Sequence, residues 1–106
     1  MVISILRFKT MPDKKTEVID ILNSLIGPTE VQPGCKSSQF YDNRVSDNEI
    51  LLLQEWESKQ RLESHISSDE FQKILAAMDL SSEAPGFAFH TVSKTEGLEL
   101  VENLCK

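Results

Sequence analysis

Basic residues are in deficit: 11 Lys and Arg against 17 Asp and Glu leave a net charge of −6 over 106 residues. The cations form no run, which argues against a nucleic-acid partner, because such binding rests on clustered positive charge. Long hydrophobic runs are missing too. No stretch approaches the ~20 apolar residues that a bilayer-spanning helix needs, so no membrane partner is expected. The first residues enter a strand pattern without a basic region and an apolar signal core, so the expectation is a cytoplasmic protein. The 2 cysteines, Cys35 and Cys105, fit no metal or redox spacing and are expected to be reduced. The 4 glycines, Gly27, Gly34, Gly86 and Gly97, stand singly as turn residues. Neither a phosphate-cradling loop nor a metal-ligand cluster is present in the pattern, and no cofactor is expected.

What is present organises around Leu51 to Phe71. Ile50 to Trp56 is apolar on both rows, with Ile50, Leu52 and Trp56 pointing one way and Leu51 and Leu53 the other, as in a strand covered on both faces. At Ser58 the period changes to a helical one, with Ser58 as the cap and Leu62 and Ile66 on one stripe. Trp56 and His65 thereby approach the same strand-to-helix corner, His65 being expected on the helix surface.

Elsewhere, Val2 to Lys9 reads as a strand with Val2, Leu6 and Phe8 on one row and Ile3 and Ile5 on the other, Arg7 breaking the second. Met11-Pro12-Asp13 opens a helix whose apolar stripe is Val18, Ile21, Leu22, Leu25 and Ile26. Gly27-Pro28 is a stop signal, with a kink and one further turn to about Gln32 as the alternative. A turn at Pro33-Gly34 precedes a more polar strand from Cys35 to Asn43, on which Phe40 and Tyr41 face opposite ways. Val45 to Asn48 makes a hairpin connection. Phe71, Ile74, Leu75 and Met78 form a further helical stripe entered at Ser68 or Asp69. Ser81 to Gly86 is loop and Phe87 to Lys94 a last strand. Residues 1–94 make one domain; residues 95–106 are an apolar tail of no assignable structure, expected to pack on the domain or on a partner.

Strand, helix, strand, strand, helix, strand is the split βαβ order, an α+β ferredoxin-like fold with a four-stranded antiparallel sheet and helices on one face. Two strands apolar on both faces then lack a cover on the second face. A second copy of the sheet supplies it most economically, so a homodimer through the sheet faces is expected.

Pro28-Thr29-Glu30 running into Gln32-Pro33-Gly34-Cys35, then Glu55-Trp56-Glu57-Ser58, then His65 carry a resemblance to the antibiotic-biosynthesis monooxygenase family, over about Val2 to Val92. That resemblance implies a dimeric α/β barrel and a monooxygenase that oxidises a quinol or polycyclic phenol with dioxygen, using neither metal nor flavin. The partners it implies are a small aromatic substrate and dioxygen. On this basis His65 is the candidate base, with an ordinary pKa near ~6.5. Trp56 and Tyr41 would orient the ring, and Arg7 would stabilise an oxyanion. Each has a packing alternative: Trp56 as core, His65 as a helix-surface imidazole, Tyr41 as strand surface, Arg7 in an ion pair. The fold also hosts non-enzymatic pocket proteins and isomerases of small carbonyl compounds. Haem degradation is not expected. Aligning on Trp56-Glu57-Ser58-Lys59-Gln60 puts His65 where haem-degrading relatives carry a tryptophan and Leu75 where they carry a histidine, and the first strand lacks their asparagine.

Overall fold

The computed structural model describes residues 1–105. Their order is β1 (Val2–Lys9), a short 3-10 turn (Pro12–Lys14), α1 (Lys15–Glu30), β2 (Cys35–Asp42), β3 (Glu49–Trp56), α2 (Lys59–Ile66), α3 (Asp69–Met78), β4 (Gly86–Thr91) and α4 (Leu98–Leu104). The strands make one antiparallel sheet in the order β2-β3-β1-β4, as the split βαβ pattern requires.

Alternation decides which side chains meet the helices. On β1 the row Val2, Ser4, Leu6, Phe8 is buried, and on β3 the row Ile50, Leu52, Gln54, Trp56 is buried. Over these rows lie Val18, Leu22 and Leu25 of α1 and Phe71, Ile74, Ala77 and Met78 of α3, in one apolar cluster. Val2, Trp56 and Leu62 form a smaller cluster under α2, with Cys35 and Ile66 against it. The other row, including Ile3, Ile5, Leu51 and Leu53, lies on the face opposite the one packed under α1, α2 and α3, and is only half-buried.

Local chemistry sets the joints. Pro12 and Asp13 begin the first helical turn, where proline's missing donor costs nothing and a carboxylate meets the positive helix end. The hairpin between β2 and β3 is held by Asn43, whose Oδ1 accepts from the amides of Val45 at 2.8 Å and Ser46 at 3.0 Å. Ser58 caps α2 through the Arg61 amide and Ser68 caps α3 through the Phe71 amide, so one capped break turns the chain between two short helices.

Three points that the sequence left open or set differently are decided. At Gly27-Pro28 the alternative of one further turn holds and the stop does not: α1 continues to Glu30 with Pro28 inside it. Proline in the last turn removes only one late hydrogen bond, and the end is closed by the Val31 amide on Gly27 O and the Gln32 amide on Thr29 O. The last strand ends at Thr91 rather than Lys94. Its partner β1 runs out, the final contact being the Val92 amide on Met1 O at 2.9 Å. The tail is a helix, α4, whose Leu98, Val101 and Leu104 are exposed. Phe87 and Phe89 are exposed as well, on the helix side of an edge strand that the helices do not reach.

Candidate functional site

The corner where β3 hands over to α2 contains the most polar chemistry found in the interior. Trp56 closes β3 and is fully buried; His65 lies two turns along α2 and is only 1% exposed. The two rings stack, centroids 4.6 Å apart with 27° between planes, and the edge of Phe71 meets His65 at 5.4 Å and 85°. The expected meeting of an aromatic wall with a titratable group is therefore present. The expected surface position of His65 is not. The break at Ser67-Ser68 folds α3 back so that Phe71 closes over an imidazole that an isolated α2 would leave wet.

Two amides determine how the rings are held. Trp56 Nε1, a donor only, donates to Gln54 Oε1 at 3.2 Å, and Gln54 Nε2 then donates to Ser38 Oγ at 3.2 Å. Gln32, in the turn after α1, donates through Nε2 to Glu70 Oε2 at 3.0 Å and to Ser68 Oγ at 3.4 Å. Its Oε1 lies 2.8 Å from His65 Nδ1. His65 Nε2 is buried and has no hydrogen-bond partner. Burial lowers the His65 pKa from its ordinary 6.5 to about 4, partly opposed by the negative charge of Glu70. The imidazole is thus neutral at neutral pH, and the sequence expectation of an ordinary histidine pKa is corrected downward by desolvation.

Around this corner the surface is dimpled. One depression of about 390 Å³ is lined by Gln32, Pro33, Arg61, Ser64, His65 and Ser68. Another, of about 340 Å³, runs between α2 and β4, with Val2, Leu62, Ile66 and Phe89 as apolar lining and Lys59 and Glu63 on its rim. Val2 and Leu62 are the residues packed on Trp56, so the floor of this groove is the outer side of the tryptophan cluster. The tight contact of the Pro33-Gly34 turn with α2 frames the first depression. Gly34 has φ 83°, and a Cβ there would collide with the stem of Arg61.

The other two candidates lie elsewhere. Tyr41 on β2 and Arg7 on β1 both pair with Leu51 of β3, on the face turned away from the helices. They line a shallow depression of about 190 Å³ with Asp42, Asn43, Glu49 and Leu51. The structure therefore brings Trp56 and His65 together, and places Tyr41 and Arg7 near one another on the far side of the sheet. Sequence reasoning missed Gln54, Ser38, Gln32 and Glu70. Gln54 had a signal, as a lone amide on a row otherwise made of Ile50, Leu52 and Trp56. The contact between Gln32 and Glu70 had none, since it joins two helices' ends distant in sequence.

Among the described residues no group of three or more His, Cys, Asp or Glu side chains is placed to hold a metal ion, and no helix is long and apolar enough to cross a membrane. Both cysteines are free. Burial and the nearby Glu30 carboxylate raise the Cys35 thiol pKa, which makes it a poor nucleophile.

Comparison with known proteins places the chain. A family model described as antibiotic biosynthesis monooxygenase matches residues 1–77. The uncharacterized protein sll1783 of Synechocystis is 29% identical over 91 residues, covering 85% of this chain and 62% of that protein. Rv0793 of Mycobacterium tuberculosis is 29% identical over 67 residues, covering 63% of this chain and 65% of that protein. The chain thus spans less than two thirds of the length of these two curated relatives. The solved structure of Rv0793 superposes with a TM-score of 0.81 at 23% identity, over 91% of this chain and 98% of that one. A conserved protein from Methanosarcina mazei superposes with a TM-score of 0.77 at 23% identity, over 85% and 91%. At those identities the superpositions establish a shared fold.

Proposed function

The chain belongs to the antibiotic biosynthesis monooxygenase family, and from that premise we propose that it oxidises a quinol or polycyclic phenol with dioxygen, using no cofactor. Ground-state dioxygen is a triplet and reacts slowly with closed-shell molecules until one electron is transferred to it. An electron-rich aromatic anion supplies that electron. What the protein must provide is an acceptor for the substrate proton, a hold on the ring, and shelter from water for the peroxide that follows.

The single observation that carries the proposal is a buried imidazole stacked on Trp56 whose Nε2 has no hydrogen-bond partner, held neutral at neutral pH by burial. In the proposal the aromatic ring lies in the groove between α2 and β4, against Phe89 and the apolar floor over Trp56; its volume lies within the usual range of ligand sites. The proton passes to His65 Nε2. The anion gives one electron to dioxygen, and the radical and superoxide combine as a peroxide. His65 returns its proton to the peroxide, whose O–O bond then breaks as the same carbon loses its hydrogen: one oxygen stays on that carbon as a carbonyl, and the other leaves as water with the two hydrogens. In the proposal substrate shifts the α2 edge, where Leu62 and Ile66 line the groove on the helix that carries His65. Arg7 and Tyr41 take no part in that chemistry, because the sheet lies between them and His65.

The proposal includes a homodimer formed through the open sheet face, where Ile3, Ile5, Leu51 and Leu53 lie in adjacent rows without a helix above them. The tail helix α4, apolar and exposed, would pack on the partner. The burial of His65 favours a second reading, a dimeric protein that binds a small aromatic and performs no chemistry. One experiment separates the two. Purified protein is mixed with a quinol panel under isotopically labelled dioxygen, and label in the product is measured by mass spectrometry. Incorporation of one labelled oxygen supports the oxygenase. Tight quinol binding with no labelled product overturns it in favour of the binding protein.

A further inference from the structure

We infer that Gln32 and Glu70 are a positioning pair that holds His65 as its Nδ1–H tautomer, which dedicates the Nε2 lone pair to accepting a proton. The use to which Nε2 is put rests on the proposed oxygenation; the tautomer does not.

The chain of hydrogen bonds runs inward from Glu70. An ionised carboxylate only accepts hydrogen bonds, so the Gln32 amide nitrogen is the atom that faces it, at 3.0 Å. Ser68 Oγ gives its own hydrogen to the His65 carbonyl oxygen at 2.6 Å. It is therefore an acceptor toward Gln32 Nε2, at 3.4 Å. With two acceptors on its amino side, the Gln32 amide cannot turn over, and its oxygen is directed at His65 Nδ1, 2.8 Å away. An amide oxygen has no hydrogen to give, so Nδ1 must carry one. The opposite tautomer would set two lone pairs against each other in a buried site and leave a donor at Nε2 with nothing to meet.

The ring cannot escape this constraint by rotating. Trp56 stacks on one side of it and the edge of Phe71 closes on it. The three anchors come from three places in the chain, Gln32 after α1, His65 in α2 and Glu70 in α3, so the tautomer is a product of the tertiary fold. When Nε2 takes a proton, the bond from Nδ1–H to Gln32 becomes charge-assisted, and the Glu70 carboxylate lies one residue further out to balance the new charge. No proton leaves through Gln32; it positions and does not relay.

The test uses the full chain labelled with nitrogen-15, reading the protonation of each His65 ring nitrogen by heteronuclear correlation. Wild type is expected to show one tautomer with hydrogen on Nδ1. Gln32→Met, close in shape but unable to accept, should give a mixture or the Nε2–H form. Exchanging the pair, Gln32→Glu with Glu70→Gln, should restore Nδ1–H, since the carboxylate at 32 can only accept and the amide at 70 supplies the donor that faces it. In quinol oxidation the maximal rate of Gln32→Met should fall about 10-fold, the worth of one buried hydrogen bond, with recovery in the exchanged pair and little change in KM. Glu70→Ala, at a half-buried position outside the apolar core, gives the same readout if Gln32→Met does not fold. Wild-type hydrogen on Nε2, or a tautomer indifferent to Gln32 and Glu70, overturns the inference. A chain with the Nδ1–H tautomer that oxidises no quinol leaves the inference standing and removes the oxygenase proposal instead.

Discussion

Acid should destabilise this protein through His65. In the folded chain burial holds the imidazole at a pKa of about 4, against an ordinary 6.5. Between those two values the unfolded chain binds a proton that the folded chain refuses, so lowering the pH through this window pulls the equilibrium toward unfolding. Stability from this group is fully present above about pH 6.5 and is lost progressively down to about pH 4, below which the loss levels off. The size follows from the fall from 6.5 to about 4: at about 1.4 kcal/mol for each tenfold change in proton affinity it comes to roughly 3 kcal/mol. That is a large share of the ~5–15 kcal/mol that keeps a typical domain folded. The assay is urea unfolding followed by far-UV circular dichroism at a series of pH values, for wild type and His65→Leu. The variant loses the Gln32 hydrogen bond and starts less stable, yet its stability should be flat where wild type falls. Equal slopes in the two proteins through this window would refute the idea that a buried neutral imidazole is responsible.

Trp56→Ala removes the largest fully buried side chain and leaves Gln54 Oε1 without its donor; unfolding should become easier by about 3–5 kcal/mol in the same urea assay. Gly34→Ala should cost about 1–3 kcal/mol, because φ 83° suits glycine and the added Cβ meets the Arg61 stem close to its backbone. Sedimentation equilibrium at micromolar concentration should give about twice the 12.0 kDa chain mass; a stable soluble monomer would remove the sheet-to-sheet contact from the proposal.

Much of the fold is written in local periodicity. The alternation along Val2–Lys9 and Glu49–Trp56, the stripe Val18, Leu22, Leu25 and the capping serines at 58 and 68 each act within a few residues, and each appears in the structure where the pattern puts it. The ends of elements were less legible because they depend on partners. Thr91 ends β4 because β1 has no residue left to pair, and Pro28 is tolerated because the α1 terminus finds other bonds. Half of the candidate site followed the same rule. Trp56 and His65 meet because a strand and its following helix must share a corner. The burial of His65, its lowered pKa and the amide that orients it come from Phe71, Glu70 and Gln32, contacts across helices that no short-range pattern encodes. Arg7 and Tyr41 were grouped with His65 by chemistry alone, and strand parity places them on the other face.

The central claim is that His65 takes the substrate proton in an oxygenation, and the direct measurement is oxygen uptake with a panel of quinols by wild type and His65→Ala. Wild type should consume oxygen with at least one quinol, at a rate nearly constant above about pH 6, because an imidazole with a pKa of about 4 is already neutral there. His65→Ala should lower the maximal rate by roughly 10² to 10⁴, the usual worth of a general base, with far less effect on quinol binding. A His65→Ala protein that is folded and oxidises the same quinols at the wild-type rate would contradict the claim and return His65 to the core.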